Sequence, residues 1–247
     1  MTEIIDGEFL GIGDISPTAL KVSYDELRRK VGRHLGFDRN PDNWEANQTQ
    51  DVADIIKEGQ GHFYWPPPID QTPGARSHLW SFLCVSHQIV LASDTLSYDL
   101  PDDFVRVQSG FTFGSNGKHL RLAIVEDEAL RSMQSRSYVS GIPRYVAIRS
   151  RDDRTDEGYE LSVYPAPDRA LTIECRYEKM PNEINASNQY HLGPAVHSKL
   201  LVSACLMEAD RTLNPESISP DGGRNAQAFF QQLAASIAID RQSPMAP

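Results

Sequence analysis

Hydrophobic positions follow a helical period at both ends of this chain and alternate through its middle. Near the start, Tyr24, Leu27, Val31 and Leu35 recur on one face, and Ser23 with Glu26 three residues later makes a capping box. Gly36 ends that helix. Asn40 and Pro41 mark a turn, after which Val52, Ile55, Ile56 and Phe63 define a second helix, with Asn47 or Thr49 as its cap and Gly59 and Gly61 loosening its end. Pro66, Pro67 and Pro68 impose extended geometry. The next segment, 77–82, reads as a short helix.

From position 88 the period becomes that of strands. Leu120, Leu122 and Ile124 alternate with polar or small residues, as do Tyr159, Leu161 and Val163. The clearest alternation is Leu171, Ile173, Cys175 and Tyr177, separated by Thr172, Glu174 and Arg176. Residues 144–149 form another strand, joined to Tyr159 by the charged loop 150–158. An antiparallel meander or small sandwich is predicted, interrupted by a short surface helix over 126–134 with Leu130 and Met133 on its apolar side.

After Pro181 the helical period returns. Residues 188–210 carry Ala195, Val196, Leu200, Leu201, Ala204, Cys205 and Met207, an apolar surface wide enough to pack on more than one neighbour. A break with Pro215, Pro220, Gly222 and Gly223 precedes a final amphipathic helix over 224–240 whose apolar face is Phe229, Phe230, Leu233 and Ile237.

Helices at both ends bury their faces only by meeting each other. The expected fold is therefore α+β: an antiparallel helical bundle formed from N- and C-terminal helices, with an inserted antiparallel β-rich, meander- or sandwich-like domain. The divisions are an extended N-terminal arm (1–22), a helical platform (23–84 and 188–213), a β-rich insertion (85–187), and a C-terminal break, helix and tail (214–247).

Composition narrows the function. With 40% hydrophobic and 23% charged residues the chain is of ordinary globular make-up. Its net charge of −10 argues against wrapping nucleic acid, which needs clustered Lys and Arg. The three cysteines, Cys84, Cys175 and Cys205, lie far apart in apolar stretches, as reduced core thiols do. No run of about 18 apolar residues suggests a membrane span. Residues 1–7 carry Glu3 and Asp6 without the basic and apolar regions of a secretory signal.

Catalytic motifs do not emerge. A nucleophile elbow, a phosphate loop, a dinucleotide fingerprint, H-E-x-x-H and paired zinc cysteines are all missing from the sequence. Gly114-Ser115-Asn116-Gly117 reads as a tight turn. His34, His62, His78, His87 and His119 stand alone, and His191 and His197 are six apart, on different faces of a helix. Glu126-Asp127-Glu128 and Asp152-Asp153 lack calcium-loop spacing and read as exposed acidic face. His62-Phe63-Tyr64-Trp65 has no neighbouring Lys or Arg to form a base-stacking groove, and is expected to anchor the helix end to the β-rich part. Trp44 and Trp80 are expected in the core or a subunit contact. Neither a catalytic site, a metal site nor a cofactor is expected.

Several motifs, in order, resemble the head-to-tail adaptor proteins of tailed bacteriophages, the group that includes the tail tubular A proteins of short-tailed phages. Residues 24–35 with Gly36-Phe37, then 51–58 with Gly59 and Phe63-Tyr64, are similar to that family's first helix pair. Tyr98-Asp99-Leu100-Pro101-Asp102-Asp103-Phe104 is similar to its entry to the β region. Gly141-Ile142-Pro143-Arg144-Tyr145, Leu161-Ser162-Val163-Tyr164-Pro165-Ala166-Pro167 and residues 173–177 match later strand elements, and 200–213 resembles its penultimate helix. The arm before Val22 and the region after Leu213 depart from the pattern.

The resemblance implies a structural, non-enzymatic virion protein of the neck, assembled in the host cytoplasm. It implies a ring, a dodecamer, of copies of the chain beneath the portal protein, continuing the DNA channel and presenting a platform to the tail or next neck protein. An acidic wall would let DNA pass without specific binding. Phe229, Phe230, Leu233 and Ile237, beyond the flexible-looking break, are the expected contact with portal or a neighbouring subunit. The alternatives are another neck component, such as a stopper or completion protein, and a carbohydrate- or receptor-binding virion module.

Overall fold

The computed structural model of the chain describes residues 20–69, 74–114, 121–151, 158–213 and 223–242. Most of the arm expected over 1–22, the turn at 115–117, Leu120, the centre of the 150–158 loop, the break after Leu213 and the tail lie outside the described residues. The helices are α1 (Tyr24–His34), α2 (Ala46–Tyr64), α3 (Asp127–Arg136), α4 (Ser198–Leu213) and α5 (Arg224–Gln242). The strands are β1 (Cys84–Leu91), β2 (Ser97–Asp99), β3 (Phe104–Val107), β4 (Thr112–Phe113), β5 (Ala123–Ile124), β6 (Ser140–Gly141), β7 (Tyr145–Ser150), β8 (Tyr159–Tyr164), β9 (Ala166–Pro167) and β10 (Leu171–Lys179). The fold is mixed α+β. The chain divides into two compact units, Met1–Leu79 with Asn182–Pro247, and Trp80–Pro181.

In the helical unit, capping chemistry starts α1 where the sequence predicts. The Glu26 N–H donates to Ser23 Oγ (3.3 Å) and the Ser23 N–H donates to Glu26 Oε2 (3.1 Å), satisfying two amides that a helix start leaves unpaired. Leu27 and Val31 are buried, and Gly36, at φ 83°, takes the left-handed geometry that ends the helix. Trp44 lies over Gly32, where any Cβ would collide with its ring, and its Nε1–H donates to the Asp38 carbonyl (2.8 Å).

The second helix differs from expectation at both ends. It begins at Ala46, ahead of Asn47 and Thr49, with the Glu45 N–H held by Gln48 Oε1 (3.0 Å). It also runs straight through Gly59 and Gly61 to Tyr64. Tertiary packing explains Gly59: a Cβ there would sit 2.7 Å from Cys205 Sγ and 2.8 Å from its Cα, so the residue lets α4 approach α2 closely. That approach outweighs the roughly 1 kcal/mol by which Gly disfavours a helix interior. Helix α4 packs against α1, α2 and α5. It starts only at Ser198, because residues before it are spent on loop hydrogen bonds and a 3-10 turn at Ala195–His197. The helix expected over 77–82 is likewise only a 3-10 turn, Ser81–Leu83.

In the second unit one sheet runs β1-β10-β3, with β4 also on β10, and another runs β2-β8-β7-β5. Their inward residues share one core: Ile89, Leu91, Phe111, Phe113, Ile173 and Cys175 from the first side, and Val146, Leu161 and Val163 from the second. Sequence-consecutive strands are rarely neighbours, so this is a sandwich and not a meander. The first strand pairs with the last, Cys84↔Glu178 through Leu91↔Leu171, which brings the two ends of the unit together. Two short pairings, β5 with β7 and β6 with β9, are parallel, against the antiparallel expectation. Ile124 is exposed because β5 is a two-residue edge strand, although the alternation put it with Leu122. The surface helix appears as α3, packed on β7 and β8 through the buried Leu130.

Candidate functional site

The four residues expected to meet a partner do not share one environment. Phe229, Leu233 and Ile237 are spaced by four, so they stack on one face of α5, and all three are buried within the chain. The Phe229 ring meets His62 edge-on with centroids 6.3 Å apart. Phe230 is rotated about 100° from Phe229 and remains 39% exposed. The stripe therefore seats α5, and Phe230 is the member of the set presented outward.

Three histidines that look isolated in the sequence are each joined to a carboxylate of the C-terminal helices. His34 Nε2 lies 2.6 Å from Asp210 Oδ1, His62 Nε2 2.7 Å from Glu208 Oε1, and His78 Nε2 2.9 Å from Asp240 Oδ2. Glu208 is 2% exposed, and Arg211 Nη1 donates to the same oxygen at 2.7 Å. Burial pushes its acidity toward the neutral form, but the hydrogen bonds from His62 and Arg211 prevail and hold its pKa below the ordinary value. The Asn225 amide donates to Asp210 Oδ2 at 2.8 Å. These links bridge separations of 176 residues for His34 and 162 for His78. No local spacing could have revealed them.

A second polar cluster fixes the chain's entry into this unit. The His191 Nδ1–H points to the Leu192 carbonyl (3.0 Å), leaving Nε2 to accept from the Ser198 hydroxyl (2.8 Å). Ser198 Oγ in turn accepts from the Val22 N–H (3.3 Å), and Lys21 Nζ donates to the His191 carbonyl (3.2 Å). Burial lowers the His191 pKa to about 4, so the ring is neutral at pH 7. His191 and His197 were expected on one helix; His191 instead precedes it in a loop, and both are buried.

A serine beside a histidine resembles an activated nucleophile. Here Ser198 is 4% and His191 1% exposed, and the hydroxyl already serves Val22, so the pair works as a bolt for the backbone. Two of the cysteines are equally inert. Burial pushes the Cys205 thiol to about 12 and that of Cys175 to about 11, which keeps both protonated and unreactive.

Within the helical unit the aromatic run after His62 anchors the end of α2. The Phe63 ring packs on His191 with centroids 5.3 Å apart, and the Leu192 N–H donates to the Tyr64 hydroxyl at 2.9 Å. Burial, partly offset by that bond, moves the Tyr64 pKa to about 12. Trp65 alone in the run is largely exposed. Trp44 and Trp80 are buried in the chain.

Among the described residues, no group of three or more His, Cys, Asp or Glu side chains is placed to hold a metal ion, and no helix is long and apolar enough to cross a membrane. Exposed apolar side chains offer surfaces that a macromolecule could cover. On the sandwich, Tyr138, Val139 and Ile142 are exposed around β6, with Tyr138 Oη donating to Asp94 Oδ1 at 2.8 Å. On the helical unit Val196, Leu213 and Phe230 are exposed.

Comparison with known proteins gives one family. A family model described as SU10 adaptor protein matches residues 22–247. No curated protein matches the chain.

Proposed function

We propose, on the premise that this chain belongs to the SU10 adaptor protein family of phage head-to-tail adaptors, that its copies form a ring beneath the portal. As a family member it is a structural virion protein that works with other phage structural proteins. In the proposed assembly the ring, a dodecamer, continues the DNA channel and offers a docking platform to the tail or next neck protein. The observation that carries this reading is the family match across residues 22–247.

Physical features support it. The net charge of −10 suits a conduit, since an acidic wall repels phosphates and lets DNA slide. Both ends of the chain contribute to one compact unit and the middle forms another, which is the arrangement wanted for a helical platform carrying a β-rich insertion. The insertion would then be free to meet a neighbour or the next component without disturbing the platform. We assign partner contact on α5 to its outward side, with Phe230 as the apolar element and Phe229, Leu233 and Ile237 holding the helix in place.

Light scattering on the purified chain, alone and mixed with the portal protein of the same phage, tests the proposal. A ring, formed alone or on portal, is expected. A chain that stays monomeric and ignores portal would sink it.

A further inference from the structure

The edges of the sandwich sheets are in unequal states. Strand β2 is three residues long and ends in Asp99, and β5 has only two residues. Strand β3 carries Arg106 and meets β10 through a register shift at Glu178/Lys179, while β4 is two residues long and bridged by Arg121. Shortness, charge and irregular register are the devices by which sheets avoid adding a foreign strand. Strand β1 has none of them. Its eight residues, Cys-Val-Ser-His-Gln-Ile-Val-Leu, contain no proline, no Lys, Arg, Asp or Glu, and no break in register with β10. Among the described strands it pairs with β10 alone, and Ser86, Gln88 and Val90 on one of its faces are exposed, Val90 by 67%.

We propose that the outer edge of β1 accepts an added strand from residues 1–19 of a second copy of this chain. The inference rests on the ring reading above. A ring needs a head-to-tail contact between unlike surfaces, so the element that meets β1 is not the neighbour's own β1. The neighbour's other described edges are closed by the devices just named. Residues 1–19 fit the remaining requirement. They include Ile4, Ile5, Phe9, Leu10, Ile12 and Ile15, and positions 2–6 contain neither Gly nor Pro. Their charged residues, Glu3, Asp6, Glu8 and Asp14, are all acidic, and β1 has no carboxylate to repel them.

The segment also has a fixed point of departure and enough length. It leaves from Leu20, 84% exposed, just before Lys21 and Val22 are tied to His191 and Ser198. Nineteen residues reach about 60 Å when extended, ample to meet an adjacent subunit. Main-chain hydrogen bonds would supply the affinity and alternate side chains the register.

Photocrosslinking in the full chain tests this. Val90 is replaced by p-benzoylphenylalanine, isotopically heavy and light chains are mixed in equal amounts, and the mixture is irradiated with and without the portal protein, its mass being followed in parallel. The expected result is an oligomer in which position 90 joins peptides from residues 1–19 of the differently labelled copy. Gln88→Glu, on the same exposed face, should cut that yield about tenfold through repulsion, with only a small fall in melting temperature, since Glu174 stands opposite it on β10. An oligomer whose position 90 reaches β1 of another copy, portal, its own chain or nothing would overturn strand addition and leave the ring standing. A monomer under every condition would remove both.

Discussion

The two compact units are held together by different chemistry. Between Trp80 and Pro181 the structure rests mainly on an apolar core in which Phe111, Leu161 and Ile173 are fully buried between two sheets, with polar links such as Arg106–Glu178 and Tyr177–Asp103 joining its segments. The helical unit also has apolar packing, but its distant segments are tied by polar contacts that range from exposed to buried: His34, His62 and His78 to carboxylates of α4 and α5, and Val22 to Ser198, which is bonded in turn to His191. Apolar burial is non-directional and insensitive to pH. Polar links specify which segments meet, at the risk of failing when one partner changes its charge. The sandwich should therefore respond chiefly to lost volume, and the helical unit also to acid.

The largest effect belongs to volume. Phe111→Ala in the sandwich and Phe229→Ala in the helical unit should each cost roughly 3–5 kcal/mol, from lost transfer energy and the cavity left behind. Calorimetry should show the two substitutions acting on different transitions if the units unfold separately. A shift of under about 1 kcal/mol for Phe229→Ala would mean that α5 is not seated as described.

Acid should separate the units next. The His191 pKa is about 4 when folded, against an ordinary value near 6.5, because burial disfavours the charged ring. Above pH 6.5 the ring is neutral in both states and its contribution is intact. As pH falls from 6.5 toward 4, the unfolded chain binds the proton first, so stability is lost across that window, by roughly 3 kcal/mol. Burial lowers the His197 pKa as well, which adds loss in the same direction. Denaturant melts at pH 7, 5.5 and 4 should show the helical unit weakening, and His191→Gln, which keeps a donor and an acceptor, should flatten the slope. An unchanged slope in that variant would assign the acid response elsewhere.

Glu208→Ala should cost about 2 kcal/mol, since it removes a buried charged acceptor shared by His62 and Arg211, both of which can turn partly to water. The measurement is thermal unfolding at neutral pH, compared with His62→Ala. If the two single losses simply add in the double variant, the pair is not coupled.

Local rules made some of this architecture legible and left other parts hidden. The Ser23–Glu26 capping box, the alternation through Ile173, Cys175 and Tyr177, and the four-residue spacing of Phe229, Leu233 and Ile237 are short-range signals, and each appears in the structure. What spacing could not reveal depended on partners far away in sequence. Gly59 looks like a helix breaker until Cys205 is seen against it. His34 looks solitary until Asp210 arrives from 176 residues on. A buried apolar stripe and a docking stripe also have the same period, because both avoid water. Only the folded chain shows that α5 directs its stripe inward and leaves Phe230 at its edge.

That distinction supplies the smallest and most selective test. Phe230 is 39% exposed while Phe229 beside it is fully buried, their rings meeting edge-on at 5.3 Å. Phe230→Ala should cost the isolated chain only about 1 kcal/mol, well below Phe229→Ala, because part of the ring already lies in water and what is lost is chiefly its edge-on contact with Phe229. If α5 presents its outer side to portal or a neighbour, the same change should weaken association at least tenfold, since exposed aromatics often anchor interfaces. Phe229→Ala, in contrast, should weaken association only as far as it unfolds the helix. Pull-down with portal, read beside the melting curve of each variant, separates the two effects. Equal association for Phe230→Ala and the unaltered chain would remove α5 from the interface and turn attention to Val196, Leu213 and the sandwich edges.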